Sequence, residues 1–486
     1  MTTDTHNRTP KASASAPEPS ALSGQIIAAL PYTPNAQQQA VIDALARFVS
    51  PLIAPDTGTA DRDAAFILNG YAGTGKTSLT AALTTALAAH NTPTVLMAPT
   101  GRAAKVFSNY ARRTAYTIHR KIYRHSITGE QRTLQENHAV GTLFIIDEAS
   151  MIQSGDDRDN ILADLIQYIY AGTRCRMLLI GDTAQLPPVG MDRSPAMDPD
   201  ELRRYGIHVT RATLTDVARQ QHNSGILANA TMLRRAMHAA SKGETLRMPT
   251  IQTGYSDISI TTPEDLIETI ENAYRQYGID QTLIITRSNM RAAAYNRAIR
   301  TDILYLETAI AKGEPLIVVK NNYRAARDIE HLDFIANGDT LIVSQIYSTE
   351  TRYGMHWADV QLTYTDRDTT FDAKITLDTL TDDTAQMPRQ RLAALADAIL
   401  TQAGAHDLSL TRQISILNAD PYYSALQVKF AYTVTCHKAQ GGQWDHILVD
   451  MCGIAPDAPM TDLYRWLYTA VTRARRHLTI IAPQQY

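Results

Sequence analysis

The segment Gly70-Tyr-Ala-Gly-Thr-Gly-Lys76-Thr77 has the residue types and spacing of a loop that holds phosphate groups. Its glycines let backbone N–H groups close around an anion, and a helix N-terminus behind the loop adds positive charge. In such loops the lysine reaches the β- and γ-phosphates and the threonine hydroxyl binds Mg²⁺. An apolar run before the segment and a helical pattern after it argue against a chance Gly-rich turn. The predicted nucleotide-binding residues are Gly70, Gly73, Gly75, Lys76, Thr77 and Ser78, with Lys76 also acting in catalysis.

Two adjacent carboxylates, Asp147 and Glu148, follow the apolar run Phe144-Ile-Ile. At the end of a strand in a parallel sheet, both would face the phosphates. Asp147 is predicted to hold Mg²⁺ together with Thr77, and Glu148 to orient and activate the attacking water. The alternative, solvated acids after a strand, accounts for this segment alone but not for the phosphate loop upstream.

The segment Gly181-Asp-Thr-Ala-Gln185-Leu-Pro-Pro188 follows a further buried run, where α/β proteins place ligand-binding loops. Gln185 could contact the γ-phosphate and respond to its loss. A turn stiffened by its prolines explains the segment equally well, and the sequence leaves both interpretations open.

Short apolar runs alternate with helical patterns in the first half of the chain. Such runs are typical of strands buried on both faces of a parallel sheet, so the alternation predicts an α/β domain. The predicted strands are Ala65–Asn69, Thr94–Ala98, Thr142–Ile146 and Arg176–Ile180. The predicted helices are Gln37–Phe48, Ser78–His90 and Ile161–Tyr170.

A second alternation follows, interrupted by a segment of different composition. Its predicted strands and helices are Thr282–Ile285, Arg291–Arg300, Phe430–Thr433, His446–Val449, Thr461–Ala474 and Leu478–Ile481. Between them, residues 301–426 are rich in Thr, Asp and Tyr, with strands at Asp339–Ile346 and Val360–Tyr364 and a helix near Arg389–Ala403. We interpret this segment as a β-rich insertion in a second α/β domain.

Composition and charge limit the classes of protein that fit. The length of 486 residues predicts several domains, and the hydrophobic fraction of 44% is ordinary for a globular protein. No apolar run has the length of a membrane span and the N-terminus lacks a secretory pattern, so we expect a cytoplasmic protein without membrane contact. The three cysteines are too few and too scattered for a disulfide framework or a zinc site. The net charge of −3 means that any phosphate-binding surface must be local.

Several segments resemble the motifs of superfamily 1 helicases in their order and in their residue sequences, in particular those of the RecD-like and Dda-like branch. After the phosphate loop come Ala98-Pro-Thr-Gly-Arg102-Ala-Ala-Lys105, Thr117-Ile-His119, Asp147-Glu-Ala-Ser-Met and Gly181-Asp-Thr-Ala-Gln185. The second half continues with Val217-Ala-Arg219-Gln220, Thr433-Val-Thr-Cys-His437-Lys-Ala-Gln-Gly441 and Tyr468-Thr-Ala-Val-Thr-Arg473-Ala474. The resemblance covers roughly Pro31 to the C-terminus. It implies two tandem RecA-like P-loop NTPase domains, with a β-hairpin insertion in the first and an SH3-like β-rich insertion in the second.

The resemblance also implies that ATP, with Mg²⁺, binds in the cleft between the two domains. Arg219 and Arg473 would reach from the second domain towards the γ-phosphate and stabilise the charge that develops there. Gln37 would contact the adenine, although the two glutamines that follow it leave the register open. Relatives commonly carry Glu where Gln443 stands, as a contact to the nucleotide sugar. Gln can still hydrogen-bond a hydroxyl, so this departure bears on sugar selectivity and not on ATP hydrolysis.

By the same resemblance, a single strand of nucleic acid lies across both RecA-like domains. Hydroxyls, backbone groups and a few cations suit a strand that is bound without sequence readout. The residues implied as its contacts are Pro99, Thr100, Arg102, Lys105, Thr117, His119, Thr435 and His437. Taken alone, Arg102 and Lys105 could equally form a solvated helix face.

The segment from Lys121 to Leu134 predicts a β-hairpin with Gly129 at its turn. RecD-like proteins resemble this chain in having a small pin here, which splits the duplex. Tyr123 or His125 could then stack on a base, although exposed hairpins also carry aromatic residues for cross-strand packing.

These observations predict one division of the chain and one leading function. The predicted regions are a disordered tail (1–23), a first RecA-like domain (24–222) with the pin at about 121–140, a second (223–300 and 427–486), and the SH3-like insertion (301–426). The leading function is an ATP-dependent DNA helicase that moves 5′ to 3′ on single-stranded DNA and acts at duplex junctions, with repair or replication proteins as candidate partners. The alternatives are an RNA-directed motor and a P-loop ATPase or kinase that does not track nucleic acid.

Overall fold

Two parallel sheets and one closed barrel organise the chain, which confirms the predicted mixed α/β fold. The computed structural model describes residues 19–53, 63–125, 132–155, 160–216, 224–322, 324–326, 335–365, 369–454 and 458–482. Among these residues, no helix combines the length and the apolar character that a membrane crossing requires.

The first half of the chain builds a six-stranded parallel sheet. The described strands in this half of the chain are β1 (Ala64–Gly70), β2 (Thr94–Ala98), β3 (Ala115–Thr117), β4 (Tyr123–His125), β5 (Arg132–Leu134), β6 (Leu143–Ile146), β7 (Arg176–Gly181) and β8 (His208–Leu214). The sheet order is β3-β2-β6-β7-β1-β8, while β4 and β5 pair separately as an antiparallel hairpin. The helices are α1 (Pro19–Ala28), α2 (Ala36–Ile53), α3 (Lys76–Ala89), α4 (Gly101–Ala111), α5 (Ile118–Ile122), α6 (Ile161–Tyr170) and α7 (Pro199–Arg204).

Successive residues of the strands in this sheet point to opposite faces and pack into two separate cores. Phe66 and Leu68 of β1 pack with α1, α2 and α3, whereas Ala65 and Ile67 pack on the other face with α5 and α6. Strands buried on both faces read as continuous apolar runs, which is why they were visible in the sequence. Because all six strands are parallel, the loops that follow β1, β2, β3, β6 and β7 emerge at one edge, and these loops carry the predicted site residues.

The second parallel sheet has the order β16-β10-β17-β18-β9. Its strands are β9 (Ile258–Thr261), β10 (Thr282–Thr286), β16 (Thr433–Thr435), β17 (Trp444–Asp450) and β18 (Ala474–Ile481). The helices in this part of the chain are α8 (Gly225–Ala240), α9 (Leu266–Tyr277), α10 (Asn289–Ala298), α14 (Cys436–Ala439) and α15 (Met460–Val471). Helix α15 is almost wholly buried and packs against α8 and the sheet, so it forms the centre of this domain.

The segment between α10 and β16 forms a closed five-stranded barrel. Its strands are β11 (Pro315–Val318), β12 (Thr340–Arg352), β13 (Met355–Tyr364), β14 (Thr370–Thr376) and β15 (Leu426–Phe430). Between β14 and β15 lie α11 (Asp378–Thr381), α12 (Arg389–Gln402) and α13 (Leu410–Ala419). Trp357 of β13 is fully buried against Leu395, Ile399 and Leu417, so α12 and α13 pack on the far end of the long β12–β13 hairpin. That this barrel is SH3-like stays a prediction.

Three sequence predictions differ from the structure. Residues 19–23 begin helix α1 instead of ending a disordered tail, because Leu22 and Ile26 are buried against the first domain; residues 1–18 lie outside the described part. The predicted strand Phe430–Thr433 is two strands, since the chain leaves the barrel at Phe430 and enters the second sheet at Thr433. Both ends of that crossing are buried, so the apolar run showed no break. The barrel therefore includes Leu426–Phe430, beyond the predicted boundary.

Candidate nucleotide site and nucleic-acid channel

The phosphate loop joins the end of β1 to the start of α3 and requires glycine for two reasons. Gly73 and Gly75 have φ angles of 75° and 87°, in the left-handed region where a Cβ is strained. A Cβ on Gly75 would also lie 2.5 Å from the Tyr32 hydroxyl oxygen. The loop therefore keeps a bare backbone where phosphate groups would approach, as the sequence pattern predicts. Thr77 and Ser78 occupy the first turn of α3 behind it.

The Lys76 side chain lies along its own loop. Its ammonium donates to the backbone carbonyl oxygens of Gly70 and Tyr71. Both acceptors are neutral, so these hydrogen bonds position the charge without cancelling it. The ammonium is free to exchange neutral carbonyl partners for an anion, which forms the stronger, charge-assisted bond.

The Asp147 carboxyl stands at the end of β6 in an unusual electrostatic setting. Burial and the neighbouring Glu148 raise the pKa of Asp147 to about 7, while Lys76 acts in the opposite direction. Glu148 has a φ of 51°, and its backbone N–H donates to Asp147 Oδ1 at 2.9 Å. A carboxyl that holds a proton near neutral pH is one that a divalent cation would readily deprotonate. Together with the Thr77 hydroxyl it offers the hard oxygen ligands that Mg²⁺ prefers, so these residues fit the metal of a nucleotide complex.

Gln185 is buried in the loop after β7, and its carboxamide oxygen has no hydrogen-bond partner among the residues that the structure describes. A buried polar atom without a partner is destabilising unless water or a ligand completes it. This favours the ligand-contact interpretation of Gln185 over the simple proline-stiffened turn.

Arg473 lies just past the end of α15 and is only 4% exposed. Its guanidinium donates to the carbonyl oxygens of Thr469 and Gly442 and to the Thr472 hydroxyl. No described carboxylate forms an ion pair with it, so a buried cation is held by neutral groups. Such a charge is well suited to meet a phosphate. The second predicted arginine, Arg219, lies outside the described residues.

In this structure the side chain of Gln37, the predicted adenine contact, is hydrogen-bonded to other residues of the protein. The Gln37 carboxamide donates to the Thr215 hydroxyl and accepts the backbone N–H groups of Thr215 and Asp216. The next residue, Gln38, donates to the carbonyl oxygen of Thr74 in the phosphate loop at 3.0 Å. Both glutamines thus border the nucleotide site, and the register remains open between them. Gln443 is exposed between Gly442 and Trp444.

A cavity of about 760 Å³ runs between the two α/β domains and the barrel. Seven of the eight residues predicted to contact the nucleic-acid strand line this cavity: Pro99, Thr100, Arg102, Thr117, His119, Thr435 and His437. The hydroxyls of Thr100 and Thr117 also cap the N-termini of α4 and α5, which fixes their positions at the wall. We call this cavity the channel.

The two cations of α4 do not behave as a solvated pair. The Arg102 guanidinium stacks on the Trp444 indole, 3.7 Å from the ring centroid, and thereby joins the two α/β domains. A Cβ at Gly442 would lie 2.6 Å from Arg102 Nε, so the stack depends on glycine there. Lys105 is not among the described residues that line the channel, and its ammonium donates to the Thr365 carbonyl oxygen of the barrel at 3.4 Å. Its contact to the nucleic-acid strand stays a prediction.

The described part of the channel wall carries positively charged and neutral side chains. None of the described residues that line it is acidic, although Asp and Glu make up 49 of the 486 residues. Residues that the sequence patterns missed also line it: Val189, Arg287, Asn289, Asn321, Asn337 and Lys438. Arg287 and Asn289 follow β10 at its carboxyl end. Because ligands of α/β proteins bind at the carboxyl ends of parallel strands, these two residues could have been predicted. Asn321 and Asn337 come from the barrel, which carries no such signal.

Comparisons with known proteins bear on this geometry. Residues 54–252 match the family model of an AAA domain, and residues 430–481 match that of a UvrD-like helicase C-terminal domain. The ATP-dependent RecD2 DNA helicase of Deinococcus radiodurans is 36% identical over 126 residues, which are 25% of this chain and 16% of that protein. The ATP-dependent DNA helicase dda of Enterobacteria phage T4 is 29% identical over 240 residues, 46% of this chain and 52% of that protein.

The chain therefore matches an AAA domain and a UvrD-like helicase C-terminal domain, and it is similar in sequence to parts of the RecD2 and Dda helicases. It matches about half or less of the length of these two relatives. Among solved structures, a Pif1 helicase from Bacteroides in complex with ADP-AlF3 and single-stranded DNA is 13% identical, with a TM-score of 0.46 and coverage of 92% of each chain.

The hairpin that resembles the pin of RecD-like helicases is present as β4 and β5, and its turn lies outside the described residues. Tyr123 is only 4% exposed and donates its hydroxyl to Asp164 Oδ2 at 2.6 Å. The suggestion that Tyr123 stacks on a base is therefore wrong, because its ring is part of the core beneath the hairpin.

Proposed function

We propose that this chain is an ATP-dependent DNA helicase that moves along single-stranded DNA from 5′ to 3′ and couples ATP hydrolysis to duplex unwinding. The observation that carries the proposal is the channel: none of the described residues that line it is acidic, and both α/β domains contribute residues of the helicase-like segments to it. A polyanionic strand is attracted by such a wall even in a protein of net charge −3. The two curated relatives are ATP-dependent DNA helicases, and the polarity rests on the resemblance to the RecD-like branch.

The proposed chemistry uses the residues around the phosphate loop. Lys76 and the loop backbone bind the phosphates, while Thr77 and Asp147 would hold Mg²⁺, whose charge would offset that of the phosphates. Glu148 takes the proton of the attacking water, and Gln185 contacts the γ-phosphate. Arg473, with Arg219, stabilises the charge of the transferred group. Because Arg473 follows α15 of the second domain, closure of the cleft depends on the nucleotide, and hydrolysis changes the distance between the two strand-binding walls.

The test is ATP hydrolysis by the purified chain with no polymer, with single-stranded DNA, and with RNA of matched length and sequence. We expect strong stimulation by DNA, and no activity in the Lys76→Ala variant under any condition. Stimulation by RNA alone would support the RNA-directed motor instead. Hydrolysis that depends on Lys76 but ignores both polymers would contradict the proposal and leave an ATPase that does not track nucleic acid.

Lys438 is expected to contact a phosphate of the strand. It lines the channel, and burial with the neighbouring Lys429 lowers the pKa of Lys438 to about 8, so its ammonium is mostly protonated at pH 7. Replacing it with glutamine removes one cation, which should reduce the slope of log Kd against log salt by about 1 and weaken binding of all sequences alike.

The measurement is a salt titration of fluorescent single-stranded DNA binding at pH 7. Lys312→Gln is the matched control, because Lys312 is exposed and is not among the channel residues. An unchanged slope in Lys438→Gln would show that this lysine does not contact a phosphate.

A further inference from the structure

One segment of the first domain reaches from the nucleotide site to the channel. It begins where β7 ends at Gly181, and its far end, Pro188 and Val189, lines the channel wall. We call residues 181–189 the bridging segment. Any movement of the strand against Val189 acts on the same short stretch of backbone that carries Asp182 and Gln185.

The bridging segment is hydrogen-bonded across the domain boundary in its middle. The Leu186 backbone N–H donates to the Thr469 hydroxyl at 2.8 Å, and the Gln440 carboxamide donates to the Leu186 carbonyl oxygen at 2.8 Å. Thr469 belongs to α15, and Gln440 itself lines the channel. The second domain therefore holds this segment through both backbone polar groups of one residue, Leu186.

Tyr468 connects the nucleotide end of the bridging segment to the phosphate loop. Its hydroxyl donates to Asp182 Oδ2 at 2.6 Å and accepts the backbone N–H of Ala72 at 3.0 Å. The side chains of Tyr468 and Asp182 are each only 1% exposed, so neither bond competes with bulk water. One hydroxyl from the second domain thus holds two elements of the first, and both bonds break if the domains separate.

We infer that Tyr468 is a positioning residue that couples strand binding in the channel to the phosphate loop. The inference rests on the proposed function. A strand in the channel touches both domains and favours the arrangement in which they are close. In that arrangement the Tyr468 hydroxyl fixes the loop through Ala72 and the bridging segment through Asp182. Two ligands that favour the same arrangement raise each other's affinity, and the effect is reciprocal.

The test is Tyr468→Phe, which keeps the ring and removes only the hydroxyl. The Kd for single-stranded DNA is measured with and without a non-hydrolysable ATP analogue, and ATP hydrolysis is measured with and without the DNA. Couplings of this kind are typically roughly 5- to 150-fold. In Tyr468→Phe we expect the effect of the analogue on the DNA Kd to fall towards onefold, and the ratio of stimulated to unstimulated hydrolysis to fall with it.

Tyr464→Phe is the matched control. Tyr464 lies one turn earlier on α15, is 5% exposed, and its hydroxyl makes no hydrogen bond within the described part of the chain. This variant should keep the coupling of the wild type. Thr469→Val removes the hydrogen bond to Leu186 with little change of side-chain shape, and it should also weaken the coupling. This variant replaces Tyr468→Phe in the test if Tyr468→Phe does not fold.

The outcomes separate the inference from the function on which it rests. If DNA does not stimulate the wild-type chain, the proposed function fails. If the wild type is coupled and Tyr468→Phe is coupled equally, the inference is overturned while the function stands. A loss of both hydrolysis rates by one common factor, with the effect of the analogue on the DNA Kd unchanged, would also overturn it, since Tyr468 would then only support the site.

Discussion

Replacing Glu148 with glutamine is expected to lower the kcat of ATP hydrolysis by roughly 10²- to 10⁴-fold, the range that a general base contributes. Among the described residues that follow β6, Glu148 is the carboxylate next to Asp147, and it could accept a proton from water if Asp147 held Mg²⁺. Glutamine keeps the size and the hydrogen-bonding capacity of the side chain and removes its basicity. Binding of ATP and of single-stranded DNA should therefore persist.

The measurement is steady-state hydrolysis with saturating DNA, together with the Kd of a fluorescent ATP analogue. Glu136→Gln is the matched control, since Glu136 is an exposed acid in the same domain that faces a histidine at the surface. Hydrolysis within a few-fold of wild type in Glu148→Gln would exclude Glu148 as the base.

The second large effect is expected at Arg473. Its replacement by alanine should lower stimulated hydrolysis by roughly 10³-fold or more, the range for an arginine that stabilises a transferring phosphoryl group. The guanidinium is buried, has no carboxylate partner within the described parts of the chain, and is held by the Thr469 and Gly442 carbonyl oxygens, so its charge is available to the nucleotide. Arg473→Lys keeps a cation but loses the planar fork, and we expect it to restore little activity.

Arg475→Ala is the control for this variant, because Arg475 lies two residues further on, is largely exposed and pairs with Asp445. Both variants are compared by hydrolysis, by analogue binding and by thermal unfolding. A folded Arg473→Ala chain with wild-type hydrolysis would assign Arg473 to the packing of α15 and not to the chemistry.

Local patterns in the sequence predicted the parts of the site that depend on a few adjacent residues. The phosphate loop, the carboxylates after β6 and the central strands β1, β2, β6, β7, β10, β17 and β18 follow from glycine spacing and from apolar runs, whereas β3, β8 and β9 were not predicted. The edge at which they meet follows from parallel topology. Parallel topology also explains why seven of the residues that the family resemblance implies as nucleic-acid contacts line one channel.

Features that depend on distant residues could not be predicted in this way. Lys105 lies on the expected helix, yet its partner is a carbonyl of the barrel 260 residues away. Tyr123 was a candidate for stacking on a base, but its ring lies in the core, where its hydroxyl donates to Asp164 of α6. The bonds of Tyr468 join three segments that no local pattern relates. In each case the deciding contact is set by packing between elements and not by the residue's own neighbours.

The most direct test of the proposed motor is displacement of streptavidin from biotin at one end of single-stranded DNA in the presence of ATP and Mg²⁺. A chain that moves from 5′ to 3′ should displace streptavidin from the 3′ end much faster than from the 5′ end, and Lys76→Ala should displace neither. Faster displacement from the 5′ end would reverse the proposed polarity. No displacement from either end, despite hydrolysis stimulated by DNA, would contradict the claim that this chain moves along the strand.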